Sequence, residues 1–208
     1  CVRALDYWPP VDLTFGEYLR AIITADYDVV KDDDRHYRLA FVEAFRRRGI
    51  YPREMRTLSV DSLIWQTPED EGWDPSPGFV KILDGMRADA YRQLYTDDRE
   101  QIFNASRSMR GKLHALLTRH FARDGQGRRD AKQLGLRMPG RFEVHSVRFA
   151  HRVGPDGQLL LQAVLELLQS TAVPFDGGTM TFEGGCTLIA DLHSRASGKD
   201  SAPRVTFC

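Results

Sequence analysis

Residues 14–52 carry the signals that begin and end helices at both ends of a helical pair. Thr14 followed three residues later by Glu17 is a capping box, so the first helix is expected to begin at about Phe15. At the far end, Gly49 suits the left-handed position that follows a helix, and Pro52 prevents continuation. The pattern therefore predicts two connected helices, a hairpin that must pack its apolar side on another part of the molecule.

Both predicted helices have apolar residues at helical spacing. In the first helix these are Phe15, Leu19, Ile22, Ile23, Ala25 and Val29. The acidic run 32–34 is expected to open the second helix, because carboxylates are favourable at the positive end of the helix dipole. The predicted buried residues of that helix are Tyr37, Phe41, Ala44 and Phe45.

The order of these residues resembles the last two helices of the thermolysin-like zinc metallopeptidases, the gluzincins. The resemblance lies in Thr14 followed by Tyr18, in Arg20-Ala21, in Ala25-Asp26-Tyr27 and in the closing Ala44-Phe45 with Gly49-Ile50. Residues 1–65 are also similar to a segment of uncharacterised bacterial proteins that carry such a peptidase-like domain upstream. The resemblance implies that residues 1–65 are the end of a helical peptidase-like domain.

The sequence departs from this family at the zinc site. Gluzincins bind zinc through His-Glu-x-x-His and a later Glu, and none of the 6 histidines here is followed by Glu. The resemblance therefore implies zinc for an upstream domain only, and no catalytic, cofactor-binding or metal residue is assigned in this chain. Because the sequence opens on Cys1 within what reads as a helix, we expect a C-terminal part of a longer protein.

In a chain that lacks the upstream helices, the apolar side of the hairpin is expected to have no other helices packed against it. Phe15, Ile22, Ile23, Phe41 and Phe45 would then form an exposed apolar patch, which soluble monomers avoid. The expected partners are the upstream peptidase-like domain and, in its absence, a second copy bound through residues 14–50.

The composition bears on which partners the chain binds and on its localisation. Lys plus Arg equal Asp plus Glu at 29 each, so the global charge gives no reason to expect a nucleic-acid or membrane partner. The sequence has no apolar run long enough for a transmembrane helix. The 3 cysteines show no zinc or disulfide spacing, and such reduced-type usage favours the cytoplasm without fixing the localisation.

Residues 66–78 are rich in Pro, Gly and acids, which predicts a linker between residues 1–65 and an α+β module at 79–208. Helical spacing over 79–121 predicts one long helix or a helix pair, with a break at 96–98, where Thr and Asp are good caps. The polar first half of the segment 123–141 predicts a loop.

From residue 142 the apolar period changes to two, which is typical of strands. The predicted strands are 142–153 and 159–169, joined by a turn at 154–157, then 180–192 with a bulge at Gly184-Gly185, and 204–207 after a loop at 194–202. One alternating set is expected to face the helix that begins near residue 79: Leu159, Leu161, Ala163, Leu165 and Leu167. The same segment also fits a short helix.

Several residues are of types that can bind metals, act as nucleophiles or bind phosphate. His114 and His120 do not share a helical face, and His145 and His151 lie too far apart on a strand for one metal. Cys186 lies in an apolar strand and is expected to be a small buried hydrophobe. The basic stretch 107–141 lacks interleaved aromatic residues, so a solvated face is favoured over nucleic-acid binding. The glycine pairs 177–178 and 184–185 match no phosphate loop.

The predicted fold class is α+β: an N-terminal helical hairpin, then a long helix or helix pair packed on a small antiparallel sheet. The first functional hypothesis is a non-catalytic C-terminal part of a metallopeptidase-like protein, which completes its helical domain and adds a structural or binding module. The alternative is an independent protein-binding module with no peptidase relationship. Under the first hypothesis, the longer protein can have peptidase activity even though no catalytic residue is assigned in this chain.

Overall fold

A computed structural model describes residues 1–53, 55–123, 125–154, 157–192 and 204–207. The chain opens with a short 3-10 helix, Val2–Tyr7. The remaining elements are α1 Phe15–Val29, α2 Tyr37–Arg46, α3 Val60–Leu63, α4 Pro77–Asp84, α5 Arg87–Gln93, α6 Arg99–Phe121, α7 Gln126–Gln133, β1 Glu143–Val153, β2 Leu159–Phe175, β3 Gly178–Asp191 and β4 Arg204–Phe207.

The strands form one antiparallel sheet in the order β1-β2-β3-β4, which confirms the α+β class. β1 pairs with the first part of β2, from Leu159 to Leu168, and a register shift lies between Val144 and Ser146. β2 and β3 pair along their whole length, from Gln162 with Asp191 to Phe175 with Gly178. β4 pairs only with the end of β3. Among the described residues, the segment 169–184 of the β2–β3 hairpin thus extends past both flanking strands.

One face of the sheet packs on the helices that precede it in the chain. Leu161, Ala163, Leu165 and Leu167 are buried with residues of α4 and α6, as the alternation predicted. Leu159 continues this alternation, but its expected packing on the helix is wrong, since its side chain is exposed where the strand begins. Large aromatic side chains fill this core, among them Phe79 of α4 and Phe121 of α6, whose ring centroids are 6.3 Å apart.

The opposite face of the sheet packs on the N-terminal helices. Val164 of β2 and Ile189 of β3 are buried with Ala4, Tyr7 and the α1 residue Ile22. Leu19 and Ile23 of α1 are buried against Val42 of α2 and Leu63 of α3. The expected lack of cover over Ile22 and Ile23 is therefore wrong, because this chain itself supplies the cover from its own sheet and from α3.

The cap at the start of α1 is confirmed, since the Thr14 hydroxyl accepts a hydrogen bond from the Glu17 backbone N–H at 3.2 Å. α2 begins later than predicted, at Tyr37. Asp33 of the acidic run still caps it, because its carboxylate accepts from the backbone N–H groups of Tyr37 and Arg38, each at 2.9 Å.

The buried side of α2 differs from the prediction. Tyr37 is exposed, Phe41, Ala44 and Phe45 are half-buried, and Val42 and Arg38 are buried instead. Arg38 can be buried because its Nε donates to Asp26 of α1 at 2.8 Å, and its terminal nitrogens donate to backbone carbonyls of the connecting loop. A buried charged residue, which is not among the predicted buried residues of α2, thus connects the two helices.

The helical region 77–133 contains more breaks and more helix than expected. The predicted break at 96–98 is confirmed, with Asp98 capping α6 through the N–H groups of Glu100 and Gln101. A further turn at Gly85 separates α4 from α5. The loop predicted for the first half of 123–141 is wrong, since α7 lies within it.

Two further sequence predictions concern the strands. The bulge predicted at Gly184-Gly185 is wrong, because their pairing with Gln169 and Leu168 continues without a shift. The fourth strand is confirmed as β4. The predicted loop 194–202 and part of the 154–157 turn lie outside the described residues.

The division of the chain at 66–78 stays a prediction, and the contacts describe how this segment is held. It contains no helix or strand before α4, yet Trp73 and Ser76 are buried. Trp73 belongs to the same core as the sheet and α6. The segment is thus anchored by side chains at its C-terminal end.

Candidate binding surface

The paired ends of β2 and β3 form an arm that extends beyond the helices covering the sheet. We call residues 170–183 the arm. Val173, Phe175, Met180 and Phe182 are 39%, 56%, 55% and 57% exposed. Residues that face one another across the pair share a side of the sheet, and so do alternate residues along each strand. These four side chains therefore form one apolar face, on the same side as the buried Leu165 and Leu167.

Local sequence explains why the arm is formed. Its strands are rich in β-branched and aromatic residues, and two residues, Asp176 and Gly177, connect them. Gly177 has a φ of 124°, in a region that favours glycine in two-residue hairpin turns. Cross-strand pairs such as Val173 with Met180 and Thr171 with Phe182 then fix the register.

The arm is held rigidly at its base. The Gln169 side chain is buried, and its Oε1 accepts from the Arg137 N–H at 2.8 Å. Its Nε2 donates to the carbonyls of Arg137 and Arg141, at 3.0 and 3.3 Å. Opposite, a Cβ on Gly185 would lie 2.5 Å from the Leu167 carbonyl oxygen and 2.9 Å from Pro10 Cγ, so only glycine fits. The direction in which the arm leaves the core is therefore fixed.

A groove of about 210 Å³ lies where the apolar face of the arm meets the segment after α7. Its walls are Leu134, Leu136 and Arg137 on one side and Thr171, Val173 and Phe182 on the other. Leu134 and Leu136 are buried and make their side of the groove apolar, and the exposed Arg137 supplies a positive charge at the rim. The groove and the exposed face together form one apolar surface with a cationic end.

A second candidate is a buried group of Ser76, His120 and Asp130, a residue combination that also occurs in hydrolases. Asp130 accepts hydrogen bonds from Trp73 Nε1 at 3.1 Å, from Ser76 N at 3.2 Å and from Ser76 Oγ at 2.6 Å. His120 Nε2 lies 2.8 Å from Asp130 Oδ2 and 3.3 Å from Ser76 Oγ. One ring nitrogen therefore contacts both partners.

This arrangement cannot activate the serine. A carboxylate only accepts hydrogen bonds, so His120 Nε2 must carry the hydrogen and cannot take the Ser76 proton. Nucleophilic catalysis of this type also needs the other ring nitrogen to face the acid. All three side chains are buried, with Asp130 only 2% exposed. The group connects the segment before α4 with α6 and α7, and its role is structural.

No sequence pattern indicates this group, since its members lie in the predicted linker, the long helix and the predicted loop. The other histidines lie apart from it. His114 Nε2 is 3.1 Å from the Phe142 carbonyl, and His145 and His151 are exposed on β1. In the part of the chain that the structure describes, no three His, Cys, Asp or Glu residues are grouped as metal ligands would be.

A third candidate is a charged cluster between the 3-10 helix and the sheet. Arg152 is buried and pairs with Asp6, while Arg148 lies 3.0 Å from Asp6 and 3.1 Å from Glu166. Tyr7 donates to Asp28 at 2.5 Å, and burial together with this carboxylate raises the pKa of Tyr7. These charges satisfy one another, and the cluster fastens the N-terminal segment to the sheet.

The remaining predicted residues lie on the surface or at the edge of the core. Cys186 is half-buried against the core that includes Leu188. The basic side chains of the 107–141 stretch are mostly exposed, and Arg110 donates to the His145 carbonyl at 2.8 Å. Of the helices in the described ranges, none has the length and apolar character to cross a membrane.

Comparison with known proteins adds no relative. No family model matches the chain, and neither a curated protein nor a solved structure shows significant similarity.

Proposed function

We propose that this chain is a non-catalytic protein-binding module whose contact surface is the apolar face of the arm. The observation that carries the proposal is the exposure of Val173, Phe175, Met180 and Phe182 on one side of a hairpin that is anchored at its base. Contiguous apolar surface of this kind marks protein contact sites, because leaving it in water is unfavourable. The base held by Gln169 supports the proposal, since a preorganised surface loses little entropy on binding.

Site-specific photo-crosslinking tests this function. A benzoylphenylalanine in place of Met180, in cells that produce the chain, is expected to give one discrete protein adduct on illumination. The matched control carries the same group in place of Tyr95, which is 88% exposed outside the arm. Adding Phe182→Ser to the Met180 variant should remove the adduct. Equal adducts from both positions, or none from either, would refute the arm as a contact surface.

A second candidate role retains the resemblance to the gluzincins. In this proposal the chain is the C-terminal part of a metallopeptidase-like protein, and its N-terminal helices complete the peptidase-like domain upstream. Leu13, Phe15 and Tyr51 favour it, since they are 54%, 69% and 57% exposed. Tyr51 lies directly against the first turn of α1, because a Cβ on Gly16 would be 2.5 Å from its carbonyl oxygen. An upstream domain would cover this apolar end of the hairpin.

The coding sequence upstream of Cys1 tests the second candidate. It is expected to contain His-Glu-x-x-His followed by a Glu ligand, in frame with this chain. If it does, the longer protein should bind one zinc, and Phe15→Ser with Tyr51→Ser should loosen the contact between its two parts. An upstream sequence without these ligands would leave the independent module as the remaining hypothesis.

A further inference from the structure

We infer that the partner of the arm is the arm of a second copy of this chain, packed face to face in a two-fold symmetric dimer. This inference rests on the proposed function, since it names the occupant of the same surface. Its basis is that the tip and the base of one arm are complementary to each other, so that two copies fit when they run in opposite directions.

The spacing along the arm permits this arrangement. Val173 and Met180 are paired at its middle. Phe175 lies two residues toward the tip, and Thr171 with Phe182 lie two residues toward the base, all on the apolar face. When the two-fold axis passes through the Val173–Met180 pair, each Phe175 meets the partner's base, where the groove beside Leu134 and Leu136 is open. Sheets packed in this way lie about 10 Å apart, the usual distance for apolar side chains that interdigitate.

Charge complements the shape. The tip of the arm carries Asp176, and the rim of the groove carries Arg137, both exposed. The antiparallel arrangement brings each tip to the partner's groove, so the symmetric dimer forms this ion pair twice. A parallel arrangement of the arms would place the two Asp176 side chains together, which like charges disfavour.

The exposed area is close to what a dimer needs. A Phe side chain offers about 200 Å², and Phe175, Met180 and Phe182 are each between 55% and 57% exposed. With Val173 this gives roughly 400 Å² of apolar surface per copy. At the usual apolar share of about 56–65%, the whole interface would bury about 700 Å² per copy, near the standard of about 800 Å². The dimer should therefore be reversible and depend on concentration.

Sedimentation of the purified chain over a range of concentrations tests the inference. The wild type is expected to be dimeric at high concentration, and Phe175→Ser to be monomeric with unchanged circular dichroism. Asp176→Arg or Arg137→Asp alone should raise the dimer Kd about tenfold, since each change affects two ion pairs. The two changes in one chain should restore the wild-type Kd. Asp34→Arg, at an exposed loop position outside the arm, is the matched control.

The outcomes separate this inference from the proposed function. A chain that stays monomeric, or a dimer that the charge exchange leaves unaltered, would overturn the inference. If the crosslinker at position 180 then gave an adduct with a different protein, the binding function would stand with another partner. If it gave no adduct, both would fail. A crosslinked product of twice the chain's mass, lost in Phe175→Ser, supports both.

Discussion

Replacing Asp130 by alanine removes one buried carboxylate on which three segments of the chain depend. Its two oxygens accept from Trp73 Nε1, from the backbone N–H and hydroxyl of Ser76, and from His120 Nε2. After the change these donors keep their places in the core, because Trp73 packs on the Phe79 ring with centroids 5.8 Å apart. They would then be buried without the acceptor that they share, and only His120 Nε2 would keep a second contact, 3.3 Å from Ser76 Oγ.

The expected loss of stability follows from the number of donors. Leaving a buried donor unsatisfied costs about 1–3 kcal/mol. The Ser76 hydroxyl can turn toward another acceptor, and water can enter the space that the carboxylate leaves. The Trp73 and Ser76 backbone donors, at about 2 kcal/mol each, then account for about 4 kcal/mol in total, since His120 can turn to the Ser76 hydroxyl. Since a domain of this kind has a stability of roughly 5–15 kcal/mol, the variant should fold but be much weakened.

Urea unfolding followed by tryptophan fluorescence measures this loss. With a slope of about 2 kcal/mol per M, the midpoint should fall by about 2 M. Asp84→Ala is the matched control, because the Asp84 carboxylate is half-exposed and pairs with Arg87 at 2.9 Å on the surface. Such a pair contributes about 0–1 kcal/mol, so the control midpoint should move by less than about 0.5 M. Equal shifts in the two variants would refute the structural role assigned to the buried group.

Three further changes have defined expected outcomes. Gly49→Ala should lower the free energy of unfolding by about 1 kcal/mol in the same urea assay, because alanine disfavours a φ of 69°. A Cβ at this position would have nothing within 4 Å, so no steric clash adds to this cost. An unchanged stability would contradict the left-handed cap. Leu165→Asp should unfold the chain, as judged by circular dichroism, because it buries an unpaired charge in the core, whereas Thr181→Asp on the exposed arm should not. Burial raises the pKa of Tyr7, so above about pH 10 the unfolded chain releases a proton that the folded chain keeps, and stability should fall as pH rises. Tyr7→Phe should make that fall shallower than Tyr95→Phe does, and equal slopes would count against the buried hydrogen bond to Asp28.

Local signals in the sequence predict the parts of this fold that depend on neighbouring residues. Thr14, Asp98 and Gly49 act on the backbone within a few positions of themselves, so the cap at one end of a helix can be recognised without knowing what the helix packs against. The Gly49 N–H bonds to the Arg46 carbonyl and the Ile50 N–H to that of Phe45, each of which is a bond that the Gly-Ile pair indicates.

Burial depends on distant partners, and there the sequence prediction fails in specific ways. Arg38 is buried because Asp26 and two loop carbonyls accept hydrogen bonds from its guanidinium, whereas the large side chains of Tyr37 and Phe15 are exposed. α7 was missed because its sequence is almost wholly polar, and it forms where Asp130 can bind Ser76 and His120. The stabilising partners of these residues lie more than ten positions away, or on another element, and a local pattern does not reveal them.

The arm shows that local sequence patterns also fail to reveal a candidate binding surface. The face of β2 that carries the apolar residues Leu161 to Leu167 continues with the polar Gln169 and Thr171 before Val173 and Phe175, so the sequence predicts a strand that ends at residue 169. The helices cover this face only as far as Gln169, where the amide contacts to Arg137 fix the last covered position. Past that residue the same pattern that buries Leu165 in the core leaves Phe175 in water. The proposed binding function and the inferred dimer both rest on this part of the face, which the helices leave exposed.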